Sequence, residues 1–206
     1  MVGAALHGLV LALGLILPLG AQNVFVFNQG ASGRKLVRAF PAVLTAALCD
    51  TALILLAVLG VSVIVLSAVW LKTALFAAGA CFMVYMGWSI WRTAPRQTDD
   101  KGSGLPARKQ AMFAMSVSLL NPHAILDTVG VIGTSSLGYA GSAKWSFTLA
   151  TILVSWIWFF GLAMAGRMLG GLDRGGRIQA VINRISALIV WGMAVYLLYS
   201  TVSMFL

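Results

Sequence analysis

The chain has 206 residues, of which 60% are hydrophobic and 9% charged, against about 25% charged in an ordinary soluble domain. Its mean hydropathy is +0.95 and its formal net charge +9. These values exclude a soluble globular domain and make the lipid bilayer the solvent for most of the chain. Stretches poor in charge run 1–33, 39–71, 73–91, 110–143, 145–166 and 185–206, each close to or above the roughly 20 residues that a helix needs to cross the hydrocarbon core. A transmembrane barrel would require alternating segments of about ten residues, and none is present. The expectation is an all-α integral membrane protein, a single domain over 1–206 with six transmembrane helices.

In chain order, the first segment has no cation before Arg34, so it lacks the basic start of a signal peptide and is expected to be a retained span. It contains "LPLGAQN" (17–23), where Pro18 interrupts the apolar run. The second segment carries Cys49 and Asp50; Cys81 lies in the third. These cysteines have neither disulfide nor metal-ligand spacing and are expected to be small buried residues. A Pro/Gly-rich, mixed-charge connection, 93–109, then separates repeat 1 (1–92) from repeat 2 (110–206). With three spans in each half, the second half enters the membrane in the opposite sense. The fourth segment contains "NPHAILD" (121–127), the fifth the aromatic run "SWIWFFGL" (155–162), which reads as packing or lipid contact, with stacking on a guanidinium as the alternative. Gly79, Gly87, Gly161 and Gly166 are expected to permit close helix contact.

Cations fix the orientation. Twelve of the fourteen Lys and Arg fall in the first, third and fifth connections, leaving Lys72 and Lys144 for the other two. By the positive-inside rule the richer side is cytoplasmic, and six spans then put both termini on the periplasmic side. The positive charge is thereby explained by orientation and by anionic lipid, not by nucleic acid.

The two interrupted segments correspond. Pro18 precedes Asn23 by five positions, and Pro122 precedes Asp127 by five. Proline removes a backbone donor and clashes with the carbonyl four residues earlier. Carbonyls freed in this way must be satisfied by protein or by a watery cavity. Breaks at matching places in inverted halves point to a transporter site. Proline also suits the first position of a helix, with Asn as its cap. Asn121–Pro122 therefore reads as the start of a half-helix whose positive end attracts a carboxylate.

The acids complete the pattern. The chain has no Glu and five Asp; Asp99, Asp100 and Asp173 lie in basic connections. Asp50 comes twelve residues after Arg38, about 18 Å of helix, and Asp127 lies midway between Lys109 and Lys144. A carboxylate at that depth costs on the order of 2.5–3.5 kcal/mol and marks function. Two such carboxylates without a cation at similar depth call for a cation or a proton. A cationic amino acid satisfies both features: its side chain meets Asp50 and Asp127, and its α-carboxylate meets the Asn121 helix start. Gln22, Asn23 and Asn121 are expected to orient it, with protons carried by Asp50 and Asp127; His123, a residue type whose ordinary pKa lies near working pH, either relays them or holds structural hydrogen bonds.

"ILPLGAQNVFVFNQG" (16–30), "ALCDTALIL" (47–55), "LNPHAILDT" (120–128) and "WIWFFGLA" (156–163) closely resemble the lysine/arginine exporter family (LysE, including its ArgO branch), over essentially the whole chain. The resemblance implies export of L-lysine or L-arginine from the bacterial cytoplasm through the inner membrane, coupled to ion gradients. Sibling branches for neutral amino acids carry Lys and an aromatic where this chain has His123 and Asp127, so Asp127 favours a cationic substrate. Ala21 is a small departure, since the family often has a second proline-rich turn there. Expelling one positive charge against 100 mV costs about 2.3 kcal/mol, which exchange for an inward proton would cancel. Protons, the amino acid and lipid are the expected partners, and a homodimer is compatible with the pattern. No catalytic residue, cofactor or resident metal is expected. An intramembrane aspartyl protease lacks its glycines here, since the neighbours are "LCD" and "ILD". Export of other small amino acids, or of a divalent metal by Cys49, Asp50 and His123, is the alternative; the latter has too few convergent ligands.

Overall fold

A computed structural model describes residues 1–17, 20–32, 35–60, 69–92, 105–121, 124–125, 128–172 and 177–202. Pro18, Pro122, His123 and Asp127 lie outside the described residues. The described residues are helical, with no strand. In chain order they form α1 (Val2–Ile16), α2 (Ala21–Ser32), a short 3-10 turn (Leu36–Ala39) running into α3 (Phe40–Val58), α4 (Val69–Arg92) and α5 (Ala107–Leu119). A π-helical turn (Thr128–Gly133) leading into Thr134–Ser136 follows, then α6 (Gly141–Leu172) and α7 (Arg177–Val202).

Among the described residues two stretches are long and apolar enough to cross a bilayer, Leu36–Val58 and Gly141–Gly170, and a third candidate is the bent pair α1–α2, whose axes meet at 80°. Pro41, in the first turn of α3, occupies the place where a missing N–H costs nothing. Hydroxyl side chains along these helices return their protons to the carbonyl one turn back. Thr51 does so to Ala47, Ser118 to Ala114, and Thr148 and Thr151 to Lys144 and Phe147. In an apolar solvent this local bond removes an unpaired donor at little cost.

The packing centres on α2. One buried cluster joins Ala21 and Val24 of α2 to Met83 of α4, Val117 of α5 and Val190 of α7. A second joins Val26 of α2 to Val43 and Ala47 of α3 and to Phe159 and Ala163 of α6. A third gathers Ala4, Ile54, Val58, Ile132 and Phe147 around α1, α3, the π turn and α6. Along the α2–α6 seam the backbones touch. A Cβ at Gly30 would overlap the Ala163 carbonyl, one at Gly166 the Phe27 carbonyl, and one at Gly170 would lie 2.5 Å from the Ala31 carbonyl oxygen. This is the small-residue contact by which membrane helices gain dispersion energy where burial gives none.

The glycine expectations divide accordingly. Gly166 meets backbone, and Gly87 meets the Trp191 ring. Gly161 has nothing within 4 Å of a built Cβ, because it lines an apolar groove between α1 and α6 beside Leu9 and Leu13; it makes no close helix contact. The surroundings of Gly79 lie outside the described residues.

Candidate functional site

The polar interior begins where α1 ends. Residues 17–20 separate α1 from α2, and the last turn of α1 leaves carbonyls without helical partners. The Asn23 amide donates from Nδ2 to the Ile16 carbonyl at 2.8 Å. Its Oδ1 accepts the Trp158 indole N–H at 3.3 Å. Asn23 is thus engaged at both ends: it satisfies the broken helix and ties that break to α6.

One residue earlier, Gln22 turns toward α3 and donates from Nε2 to Asp50 Oδ1 at 3.2 Å. Ser155 of α6 also hydrogen-bonds the Asp50 side chain. Gln22 and Ser155 are buried and Asp50 is half-buried. Among the described residues no cationic side chain pairs with this carboxylate. Next to it, Thr51 accepts the Trp156 indole N–H at 3.1 Å, so consecutive residues of α3 face donors from α2 and α6. Cys49 is buried and has a side-chain hydrogen bond with Ser118 of α5, whereas Cys81 is exposed, against the expectation that both cysteines are buried.

The fourth segment contributes Asn121, buried at the end of α5. Its Oδ1 accepts from the Ala124 N–H at 3.5 Å, and its carbonyl accepts from the Ile125 N–H at 3.2 Å. This is the bonding pattern of a helix cap, with side chain and backbone both taking orphan donors of a new turn. Downstream, the π turn packs on α3: a Cβ at Gly133 would lie 3.3 Å from the Ala57 carbonyl oxygen, and Ile132 joins Ile54 and Val58.

Of the site residues expected from sequence, the structure brings Gln22 and Asp50 into contact, places Asn23 at the first break, and sets Asn121 at the start of a turn in the fourth segment. Ser155, Trp156 and Trp158 join them with hydrogen bonds that the sequence does not single out. Of the roles open to the aromatic run, lipid contact fits Ile157, which faces outward at 63% exposure. Its neighbours do not: Ser155 and Trp158, one turn apart, reach Asp50 and Asn23. The signal available was this i, i+3 polar pair within an apolar helix.

Helices suited to lipid, broken or capped around a buried amide and carboxylate constellation, define a membrane translocator. The sequence profile of the family described as "LysE type translocator" matches residues 13–201, and the chain belongs to that family. It is 53% identical over 193 residues, 94% of this chain and 88% of the relative, to the Bacillus subtilis protein named "Putative amino-acid transporter YisU". It is 34% identical over 202 residues to the arginine exporter protein ArgO of Pectobacterium carotovorum, covering 96% of this chain and 97% of the relative. With ArgO of Escherichia coli it shares 32% over 199 residues, covering 93% and 91%. No solved structure matches the chain. The resemblance noted in the sequence is therefore one of family membership, and the family consists of transporters rather than enzymes.

Proposed function

We propose that this protein exports cationic L-amino acids, arginine or lysine, from the bacterial cytoplasm across the inner membrane in exchange for protons. The observation that carries the reading is Asp50, an acid inside an apolar helix that is held by Gln22 and Ser155 and pairs with no cation among the described residues. Two neutral donors orient a carboxylate without neutralising it, which leaves its charge for a ligand. The ArgO relatives, at about a third identity over nearly their full length, support arginine as the substrate.

The transport unit in this reading is one domain, 1–206, of six spans in two inverted three-helix repeats, 1–92 and 110–206, joined by the cytoplasmic linker 93–109, with both termini periplasmic. The broken spans at Pro18 and Pro122 supply the site. Asp50 and Asp127 hold the substrate's side-chain cation while the site faces inward. Asn121, at the start of the half-helix in the fourth span, meets the α-carboxylate; Gln22 aims Asp50, and Asn23 keeps the first break in shape. After outward opening, a proton delivered through His123 to one Asp releases the substrate. Exchange of a proton for a cation moves no net charge, so the pH gradient alone drives the step, where unaccompanied export would cost about 2.3 kcal/mol per 100 mV.

The test is efflux of labelled arginine and lysine from preloaded vesicles containing the purified protein, with neutral amino acids and divalent metals as comparators. Arginine or lysine should leave against its gradient when the outside is acidic. Asp127→Asn keeps shape and hydrogen bonding but loses charge and proton. It should abolish concentrative efflux while the protein still accumulates in the membrane. Near-normal uphill export by Asp127→Asn, or efflux of metal in preference to amino acid, would refute the reading.

A further inference from the structure

The C-terminal ends of α2 and α4 and the N-terminal end of α5 border a cavity of about 550 Å³. It lies at the basic end of the molecule, which carries Lys35, Arg38, Arg92 and Lys109. Its floor is one stripe of α2 formed by Phe25, Asn28, Gln29 and Ser32. Gln22 precedes Phe25 by three residues and Gln29 by seven, which puts it on the same face of a helix with 3.6 residues per turn. The stripe that floors the cavity therefore runs on to the side chain that donates to Asp50. Phe25 occupies the stripe between them, packed on Phe113 of α5 with ring centroids 4.2 Å apart.

The lining is chemically one-sided. Among the described residues Lys109 is its cation and no Asp or Glu lines it, and the remaining polar groups are amides and hydroxyls such as Ser89 and Ser116. A carboxylate is favoured at the ammonium, and a cation is favoured over the aromatic faces beyond it. Asn28 adds a further asymmetry. Its Nδ2 is spent on Asn183 Oδ1 at 2.8 Å, while its own Oδ1 is buried and accepts from no donor among the described residues. An α-ammonium docked on α2 would supply that donor. An ammonium, a carboxylate and a second cation together are what a basic amino acid carries.

We propose that this cavity is a loading subsite, distinct from the Asp50 site, at which a cationic amino acid docks before it passes along α2. Its α-carboxylate rests on Lys109 and its side-chain cation on the Phe25–Phe113 pair, which parts to admit it. The proposal rests on the export reading above and deepens it.

Arginine and agmatine, which is arginine without its carboxylate, distinguish the outcomes when each is offered at the basic face of the reconstituted full-length protein. Losing a charge-assisted bond, Lys109→Gln should weaken the half-saturating concentration for arginine about tenfold. It should leave inhibition by agmatine unchanged, and Lys109→Arg should restore arginine. Equal weakening of both ligands, or of neither, overturns the subsite. So does a Lys109→Gln defect confined to vesicles that contain anionic lipid, which would put a lipid phosphate at Lys109. A wild type that exports neither arginine nor lysine defeats the reading beneath. Intact wild-type export with a Lys109→Gln substitution that affects arginine and agmatine alike, or neither, defeats the subsite alone.

Discussion

On the flank that faces α6, α2 lies backbone against backbone, with Gly30, Gly166 and Gly170 leaving no room for a Cβ. Toward α4 and α5 the same helix borders a cavity of about 550 Å³. Both flanks are reached within one turn of each other, since Phe27 abuts Gly166 while Phe25 and Asn28 line the cavity. The contrast is informative because packing in lipid must come from close contact rather than from expelled water. A helix clamped along one side can present Gln22 and Asn28 on the other without being drawn shut around them. The seam fixes position; the cavity leaves space.

The largest effect should come from forcing the seam apart. Gly166→Leu puts a side chain where the Phe27 carbonyl lies, and overpacking of this kind costs roughly 1–3 kcal/mol or more. Thermal unfolding in detergent should show a marked loss of stability, with much of the protein aggregated. Gly161→Leu, five residues away on the open groove, should leave the unfolding temperature nearly unchanged. If both variants behave alike, the seam does not clamp α2.

A smaller effect is expected at the join between the first break and α6. Trp158→Phe keeps the ring packing and removes the N–H that Asn23 Oδ1 accepts, a hydrogen bond worth about 1 kcal/mol. Unfolding should shift by that amount, and arginine efflux should fall less than it does in the acid variants. An unchanged unfolding curve would show that Asn23 does not depend on α6. Least of all should follow from Asn28→Ala on the open flank. The interhelical bond to Asn183 is worth roughly 0.6 kcal/mol in a membrane, and the unpaired Oδ1 leaves with it. A loss of stability as large as that of Gly166→Leu would mean that the open flank is also a clamp.

The sequence reveals these features unevenly, for physical reasons. Asp50 stands out because charge is rare in an apolar run, and its distance from Arg38 gives its depth. Asn121 stands out because cap chemistry is local: it takes the N–H groups of Ala124 and Ile125, three and four residues on. Ser155 and Trp158 do not stand out, because a helix that is hydrophobic all round carries no periodic mark of which face is interior. For the same reason Gly161 and Gly166 look alike in sequence, although only Gly166 meets a neighbouring backbone. The cavity floor is hidden too, since it depends on α4 and α5 standing apart beside α2, which no local pattern encodes.

The central claim is that the Asp50 charge, held but not neutralised by Gln22 and Ser155, belongs to the substrate or its counter-ion. Asp50→Asn tests it directly, because the amide keeps the size of the side chain and can still accept from Gln22. Equilibrium arginine binding and pH-driven arginine efflux should be measured on the same purified, reconstituted protein. The expected result is a variant that folds with nearly the wild-type unfolding temperature and carries out no uphill efflux. Binding should be lost if Asp50 holds the substrate and retained if it carries only the proton. An Asp50→Asn protein that concentrates arginine outward at close to the wild-type rate would contradict the claim.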